Sequence, residues 1–208
     1  MRRVLMKANY DLICEQWKAV RNEMPGKDSE LFDFFLNGLP RPSKVLDLGC
    51  GSGLPIAKRL TESGFSVVGI DRSEKLLEQA RENVPQGEFL TAEIESYDID
   101  TEYSGVVLWD CLFHLPREQH RLILEKVYQT LPKGGLLMLS SGGSDIDQPP
   151  FTDFMFGVEF FYDSYTPDIL IALCDKIGFT VEKFIVVNKP DGANDKGRIG
   201  MILSKGGI

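Results

Sequence analysis

The sequence predicts an α/β protein with a doubly wound, mostly parallel, seven-stranded sheet, and two observations carry that reading. Short apolar stretches alternate with amphipathic helical stretches from residue 44 onward, the pattern of right-handed strand, helix, strand crossovers that lay strands parallel. Within that pattern, Val45-Leu46-Asp47-Leu48 is an apolar strand carrying an acid near its end, and Gly49-Cys50-Gly51-Ser52-Gly53 turns the chain through three closely spaced glycines. A second apolar stretch closes on Asp71 roughly twenty residues later, the spacing of two adjacent strands with a helix between them.

The elements follow in order. Asn9 to Arg21 and Ser29 to Asn37 read as amphipathic helices, and Gly38-Leu39-Pro40-Arg41-Pro42 breaks the chain before the first strand. Strand one is Lys44–Leu48, followed by a helix over Pro55–Ser63, strand two over Ser66–Ile70, a helix over Glu74–Asn83 and a short third strand over Glu88–Leu90. Strand four, Gly105–Trp109, is continuously apolar, as a strand covered on both faces must be. Pro116 opens the next helix where its missing N–H costs little, and Leu131-Pro132-Lys133-Gly134 ends it. Strand five is Leu136–Ser140. A helix from Thr166-Pro167 to about Ile177 precedes two final strands, Val181–Val187 and Ile199–Ser204, which read as a hairpin across the turn-rich residues 188–197.

The chain reads as one domain over residues 1–208, with residues 1–40 as an N-terminal helical cover. At 43% hydrophobic residues it carries enough apolar surface for a sizeable core. Its 23 Lys and Arg against 31 Asp and Glu leave a net charge of −8 and no basic face interleaved with aromatics, which argues against nucleic acid as a substrate. Cysteines 14, 50, 111 and 174 form no C-x-x-C pair, so neither a metal site nor a disulfide framework is expected. Polar residues Lys7, Asn9 and Asp11 interrupt any leader, and no apolar run approaches a membrane span. The expected location is cytoplasmic, with no membrane partner.

The order of the glycines separates two chemistries. A dinucleotide site wants G-x-G-x-x-G facing a pyrophosphate, whereas here the third glycine arrives one residue early. Asp47, just before the turn, also sits badly beside phosphate charge and suits a cation or an amino group. S-adenosylmethionine carries a sulfonium and an ammonium and no phosphate.

The run VLDLGCGSG resembles motif I of the class I S-adenosylmethionine-dependent methyltransferases, and the chain is similar to that family from about Lys44 to its C-terminus. The resemblance implies a Rossmann-like methyltransferase fold whose last two strands supply an antiparallel edge. It also implies S-adenosylmethionine as donor, S-adenosylhomocysteine as product and a small-molecule methyl acceptor. Carried over residue by residue, Asp47, Gly49, Gly51 and Gly53 bring backbone and charge to the methionine and ribose portions. Asp71, with Arg72 beside it, takes the ribose hydroxyls, and Ser73 is available to cap the helix so that Asp71 stands clear for the ligand. Glu93, in Ala92-Glu93-Ile94, takes the adenine amino group and the Ile94 N–H a ring nitrogen. Trp109 and Asp110 lie beneath the sulfonium. Against each acid stands a plainer reading, that strand-end carboxylates only cap the following turn.

His114 has two readings, a base that accepts a proton from a hydroxyl or amine, or an imidazole that ties its loop to backbone. His120 is expected at the surface. The absence of a [D/N]-P-P-[Y/F] pattern after strand four argues against the amino-methyltransferases of DNA bases. Residues 141–165 exceed an ordinary connection and are dense in aromatics, so they read as a substrate lid in which Phe156, Phe161 and Tyr162 line an apolar pocket, with Tyr10 and Trp17 as further substrate contacts on an N-terminal helix that, with Arg21, covers the cofactor from the other side or simply packs there. A core patch or a subunit contact, hence a homodimer, is the competing reading. A non-catalytic S-adenosylmethionine-binding module and a nicotinamide-dependent oxidoreductase are the alternative functions, the second opposed by the glycine order.

Overall fold

A computed structural model describes residues 8–24, 26–191 and 196–206. The helix expected over Asn9–Arg21 is divided: Tyr10–Leu12 is one 3-10 turn and Cys14–Val20 is α1. α2 spans Gly26–Gly38, β1 Lys44–Leu48, α3 Ile56–Glu62, β2 Ser66–Asp71, α4 Glu74–Asn83, β3 Glu88–Thr91 and β4 Gly105–Leu108. A short 3-10 turn, Leu112–His114, leads to α5, Arg117–Thr130, and β5, Leu136–Gly142. β6, Phe151–Met155, and β7, Val158–Tyr162, precede α6, Pro167–Ile177, β8, Phe179–Asn188, and β9, Arg198–Lys205.

The main sheet has seven strands in the order β3-β2-β1-β4-β5-β9-β8. Pairings among β1 to β5 are parallel, and the hairpin of β8 and β9 completes one edge, β9 running antiparallel to both neighbours. The parallel strands are apolar throughout because each face is covered. Alternate side chains of β1 serve the two faces. Val45 joins Val107, Phe32, Phe35 and Leu60 in one core, while Leu46 and Leu48 join Val106, Leu108, Leu124 and Leu170 in the other. Burying each such side chain is worth roughly 1.5–3 kcal/mol.

Two expected boundaries change. α2 belongs to the first core layer, its buried Leu31, Phe32, Phe35 and Leu36 lying on the sheet together with Met24, so the cover is confined to residues 8–21. The expected lid holds a second, two-stranded sheet, β6 paired antiparallel with β7.

Candidate active site

The carboxyl ends of β1 to β4 open into a cleft lined by Asp47, Gly51, Asp71, Ala92 and Asp110. It lies where the strand order reverses, β2 leaving β1 on one side and β4 on the other, the crevice in which open α/β sheets hold ligands.

After β1 the chain turns through Gly49 at φ +80° and Gly51 at φ +54°. A Cβ on Gly49 would come within 2.6 Å of Cys111 Cβ, so glycine is what allows the loop after β4 to close on this turn. Gly53 is a correction. A Cβ there would meet Val84 and Ala80 at 3.3 and 3.4 Å, so Gly53 seats the turn against the end of α4 and does not line the cleft.

Asp47 shares a face with Val45, is 2% exposed, and lines the cleft. Its Oδ2 is buried with no hydrogen-bond partner among the described residues. Burial, reinforced by the nearby Asp71, pushes its carboxyl up to about 7. Asp71 is less free than expected. Its Oδ2 accepts the Gly51 N–H and its Oδ1 the Ser73 N–H, both at 2.9 Å. Ser73 does cap α4, its Oγ accepting the Leu76 N–H at 3.2 Å, yet its own N–H turns back to Asp71. Each carboxylate oxygen keeps lone-pair capacity for a further donor. Burial raises the Asp71 carboxyl, and the amides of Ser73, Gly51 and Arg72 offset part of that rise.

At the mouth, Arg72 pairs with Glu93 at 3.4 Å, both about one-third exposed. Ala92 and Ile94 continue the lining. The loop carrying them is held from below by Lys126, whose Nζ donates to the carbonyls of Tyr97, Glu95 and Ile94 at 2.6, 3.3 and 3.4 Å. Beyond β4, Trp109 is buried with a guanidinium, that of Arg198, 5.5 Å from its ring centroid. Asp110, in left-handed backbone at φ +54°, pairs with Arg21 and takes Arg198 Nη1 at 2.6 Å on each oxygen. Ser140 Oγ accepts the Asp110 N–H at 2.7 Å and donates to Oδ1 at 2.9 Å. The sequence reading missed Arg198, which stands at the start of the last strand with no motif around it.

The cover reaches the cleft through Tyr10, Trp17 and Arg21. Tyr10 and Trp17 meet edge to face at 5.1 Å, and the Tyr10 hydroxyl lies 2.9 Å from Nε2 of His114. His114 is 7% exposed, and its Nδ1 donates to the carbonyl of Phe161 at 2.9 Å. Burial lowers the imidazole to about 4, against the opposing pull of that carbonyl and of Asp110. Both ring nitrogens are therefore occupied, and neither presents itself alone to the cleft. His120 is fully buried, not at the surface, with Nε2 2.9 Å from the Leu115 carbonyl.

The three residues expected to line the pocket from the 141–165 segment do not line it. Phe156 sits at the tip of the β6–β7 hairpin, 47% exposed. Phe161 is buried and contributes its carbonyl, and Tyr162 stacks on Phe151 at 5.4 Å while its ring stands 4.9 Å from His114. Alternation turns Tyr162 with Phe160 to the cover and sends Phe161 to the opposite face, while Phe156 stands in the exposed turn, so the hairpin supports the cleft wall without forming it.

A crevice whose glycine turn carries an acid, at the reversal point of a sheet closed by a C-terminal antiparallel hairpin, belongs to the S-adenosylmethionine-using class of α/β proteins. A family model described as a methyltransferase domain matches residues 45–135. The chain is 34% identical over 144 residues to an uncharacterized methyltransferase of Synechocystis sp., covering 66% of this chain and 67% of that protein. It is 35% identical over 107 residues to a carboxy-S-adenosyl-L-methionine synthase of Mannheimia succiniciproducens, covering 47% and 44%. The chain spans about half the length of the carboxy-S-adenosyl-L-methionine synthases it matches. The fold matches that of a 1,6-didemethyltoxoflavin-N1-methyltransferase of Burkholderia thailandensis with a TM-score of 0.71, 19% identity and coverage of 94% of this chain and 84% of that one. The chain belongs to the class I S-adenosylmethionine-dependent methyltransferase family.

Proposed function

We propose that this protein transfers the methyl group of S-adenosylmethionine to a small-molecule acceptor and releases S-adenosylhomocysteine. One observation carries the donor: the buried, unpartnered Oδ2 of Asp47 beside the glycine turn, which an ammonium group would satisfy and a phosphate would not. Asp71 and Glu93 stand at the next two strand ends to take hydroxyl and amino donors of a nucleoside. When bound, the donor supplies an already activated methyl. The chain's own task is then to align a nucleophile with that methyl and exclude water, and alignment alone can contribute about 7–11 kcal/mol. Tyr10, Trp17 and the hairpin behind them close the cleft over the place where such an acceptor would lie, which favours a small molecule. The Burkholderia relative in fold was solved with 1,6-didemethyltoxoflavin and S-adenosylhomocysteine bound, which is consistent with that scale of acceptor.

Calorimetric titration with S-adenosylhomocysteine and with NAD tests the donor. Binding of the first alone, weakened at least tenfold in Asp71→Ala with the thermal transition retained, is the expected result. Binding of NAD instead would overturn it. The likeness to carboxy-S-adenosyl-L-methionine synthases favours a second reading, in which a carboxylated donor accumulates. Mass spectrometry of the products separates it from S-adenosylhomocysteine release.

A further inference from the structure

The Tyr10–His114 pair has a defined direction. A carbonyl oxygen only accepts, so the 2.9 Å contact to Phe161 places a proton on His114 Nδ1. Burial keeps the ring neutral, its acidity shifted to about 4, so Nε2 carries no proton and accepts the Tyr10 hydroxyl at 2.9 Å. Tyr10 lines the cleft with its proton committed to the imidazole, and its hydroxyl oxygen keeps lone-pair capacity to accept a further donor. The rings are fixed by packing. Tyr10 meets Phe160 at 5.0 Å and Trp17 at 5.1 Å, and His114 meets Phe113 and Tyr162 at 4.9 Å each.

We propose that Tyr10 is the catalytic residue that takes the proton of the methyl acceptor, passing its own to Nε2 of His114, and that the acceptor group is a hydroxyl. The proposal rests on the methyl-transfer reading above. As a lone pair of the hydroxyl oxygen forms its bond to the methyl carbon, the carbon–sulfur bond breaks and its electron pair stays on sulfur. The hydroxyl proton moves to Tyr10 Oη, and the Tyr10 proton moves to His114. One positive charge leaves sulfur and one appears on the imidazolium, so charge balances. The groups around the pair suit that arrival. Asp110 and Asp71 from the ends of β4 and β2, with the phenol of Tyr162 from β7 and the thiol of Cys111, face Tyr10. Asp110 and the Phe161 carbonyl favour the protonated imidazole. Basicity selects the acceptor. A methylated hydroxyl before deprotonation is a far stronger acid than an imidazolium and surrenders its proton to this pair. An ammonium is a far weaker acid than the buried imidazolium, so an amine gains nothing from it.

The test begins without any acceptor. In protein with 15N-labelled histidine, saturated with S-adenosylhomocysteine, long-range 1H–15N spectra report the tautomer of His114. Protonation at Nδ1, with an Nε2 resonance that shifts in Tyr10→Phe, is expected. An Nε2-protonated ring, or an Nε2 resonance indifferent to Tyr10→Phe, overturns the relay. Failure of the wild-type protein to bind S-adenosylhomocysteine at all would instead remove the methyl-transfer reading. Phenols, alcohols, amines and thiols are then assayed in parallel for S-adenosylhomocysteine release. Turnover of a hydroxyl compound, with kcat lowered about 100-fold in Tyr10→Phe and its pH dependence altered in His114→Gln, supports the proposal. Turnover of amines or thiols with no hydroxyl compound turned over overturns the acceptor class. The tautomer decides the relay whether or not a panel member reacts.

Discussion

Asp47 is where a single residue sets the behaviour of the cleft. Its carboxyl ionises near 7 in the folded chain, against about 3.9 when solvated. Between those values the folded state holds a proton that the unfolded chain has lost. Its contribution therefore lowers stability as pH rises through that window, and levels off above 7. A bound ammonium reverses the preference, because it favours the carboxylate. Binding of S-adenosylhomocysteine should then expel a proton below pH 7, and affinity should rise about tenfold from pH 6 to pH 8. Calorimetry at those two pH values, in buffers of different ionisation heat, measures both effects, and Asp47→Asn should flatten them. A flat wild-type profile would separate Asp47 from the ligand's cation. The sequence shows this acid and Asp71 plainly, because strand ends and glycines mark their places. It does not show that Gly51 and Ser73 amides occupy Asp71, since every residue but proline carries that donor. Nor does it show Arg198, brought to Asp110 from 88 residues away by strand order alone.

Elements were legible where they are long and periodic, and obscure where one residue breaks a local rule. The parallel strands and α4 to α6 stand close to where patterning puts them. The β6–β7 hairpin was hidden because its turn is Phe156-Gly157, with φ of +51° and +79° at the two central positions. A turn of that hand normally announces itself as Asn-Gly. An aromatic side chain in left-handed backbone costs roughly 1–2 kcal/mol, and Phe156 is too exposed to regain much by packing. Phe156→Asn should therefore stabilise the hairpin by about 1 kcal/mol. Slower cleavage of the 151–162 segment by a protease under native conditions reads this out. Faster cleavage would mean that the Phe156 ring is held by contacts worth more than the backbone strain. The same element explains why aromatic density pointed to a pocket lining. Alternation divides the hairpin's aromatics between exposed Phe154 and buried Phe160, and the buried face turns to the cover.

At the scale of the whole molecule, stability and access are assigned to different cores. Two large clusters fill the faces of the main sheet, while a third, small cluster of Ala8, Ile13 and Phe160, flanked by Tyr10, Met155, Val158 and Tyr162, joins the cover to the hairpin. Polar tethers add to it. Asp11 accepts the Ser73 hydroxyl at the start of α4, where the helix dipole favours a carboxylate, and Arg21 reaches Asp110. Tyr10, Trp17 and Arg21 of this cover line the cleft, so opening of the small cluster while the sheet stays intact would widen the way for a ligand. Opening of that kind costs far less than global unfolding and exposes its own set of amides. Hydrogen exchange should therefore show α1 and β7 opening together, ahead of β1 and β5, and S-adenosylhomocysteine should slow α1 and β7 most. Ile13 is fully buried in the small cluster, and truncating such a side chain typically costs about 2–5 kcal/mol. Ile13→Ala should accordingly speed exchange of α1 and β7 amides at least tenfold and raise the dissociation rate of S-adenosylhomocysteine, leaving β1 and β5 amides unchanged. If β1 and β5 accelerate by the same factor, the cover is part of the global folding unit, and product must leave by a path that does not lift it.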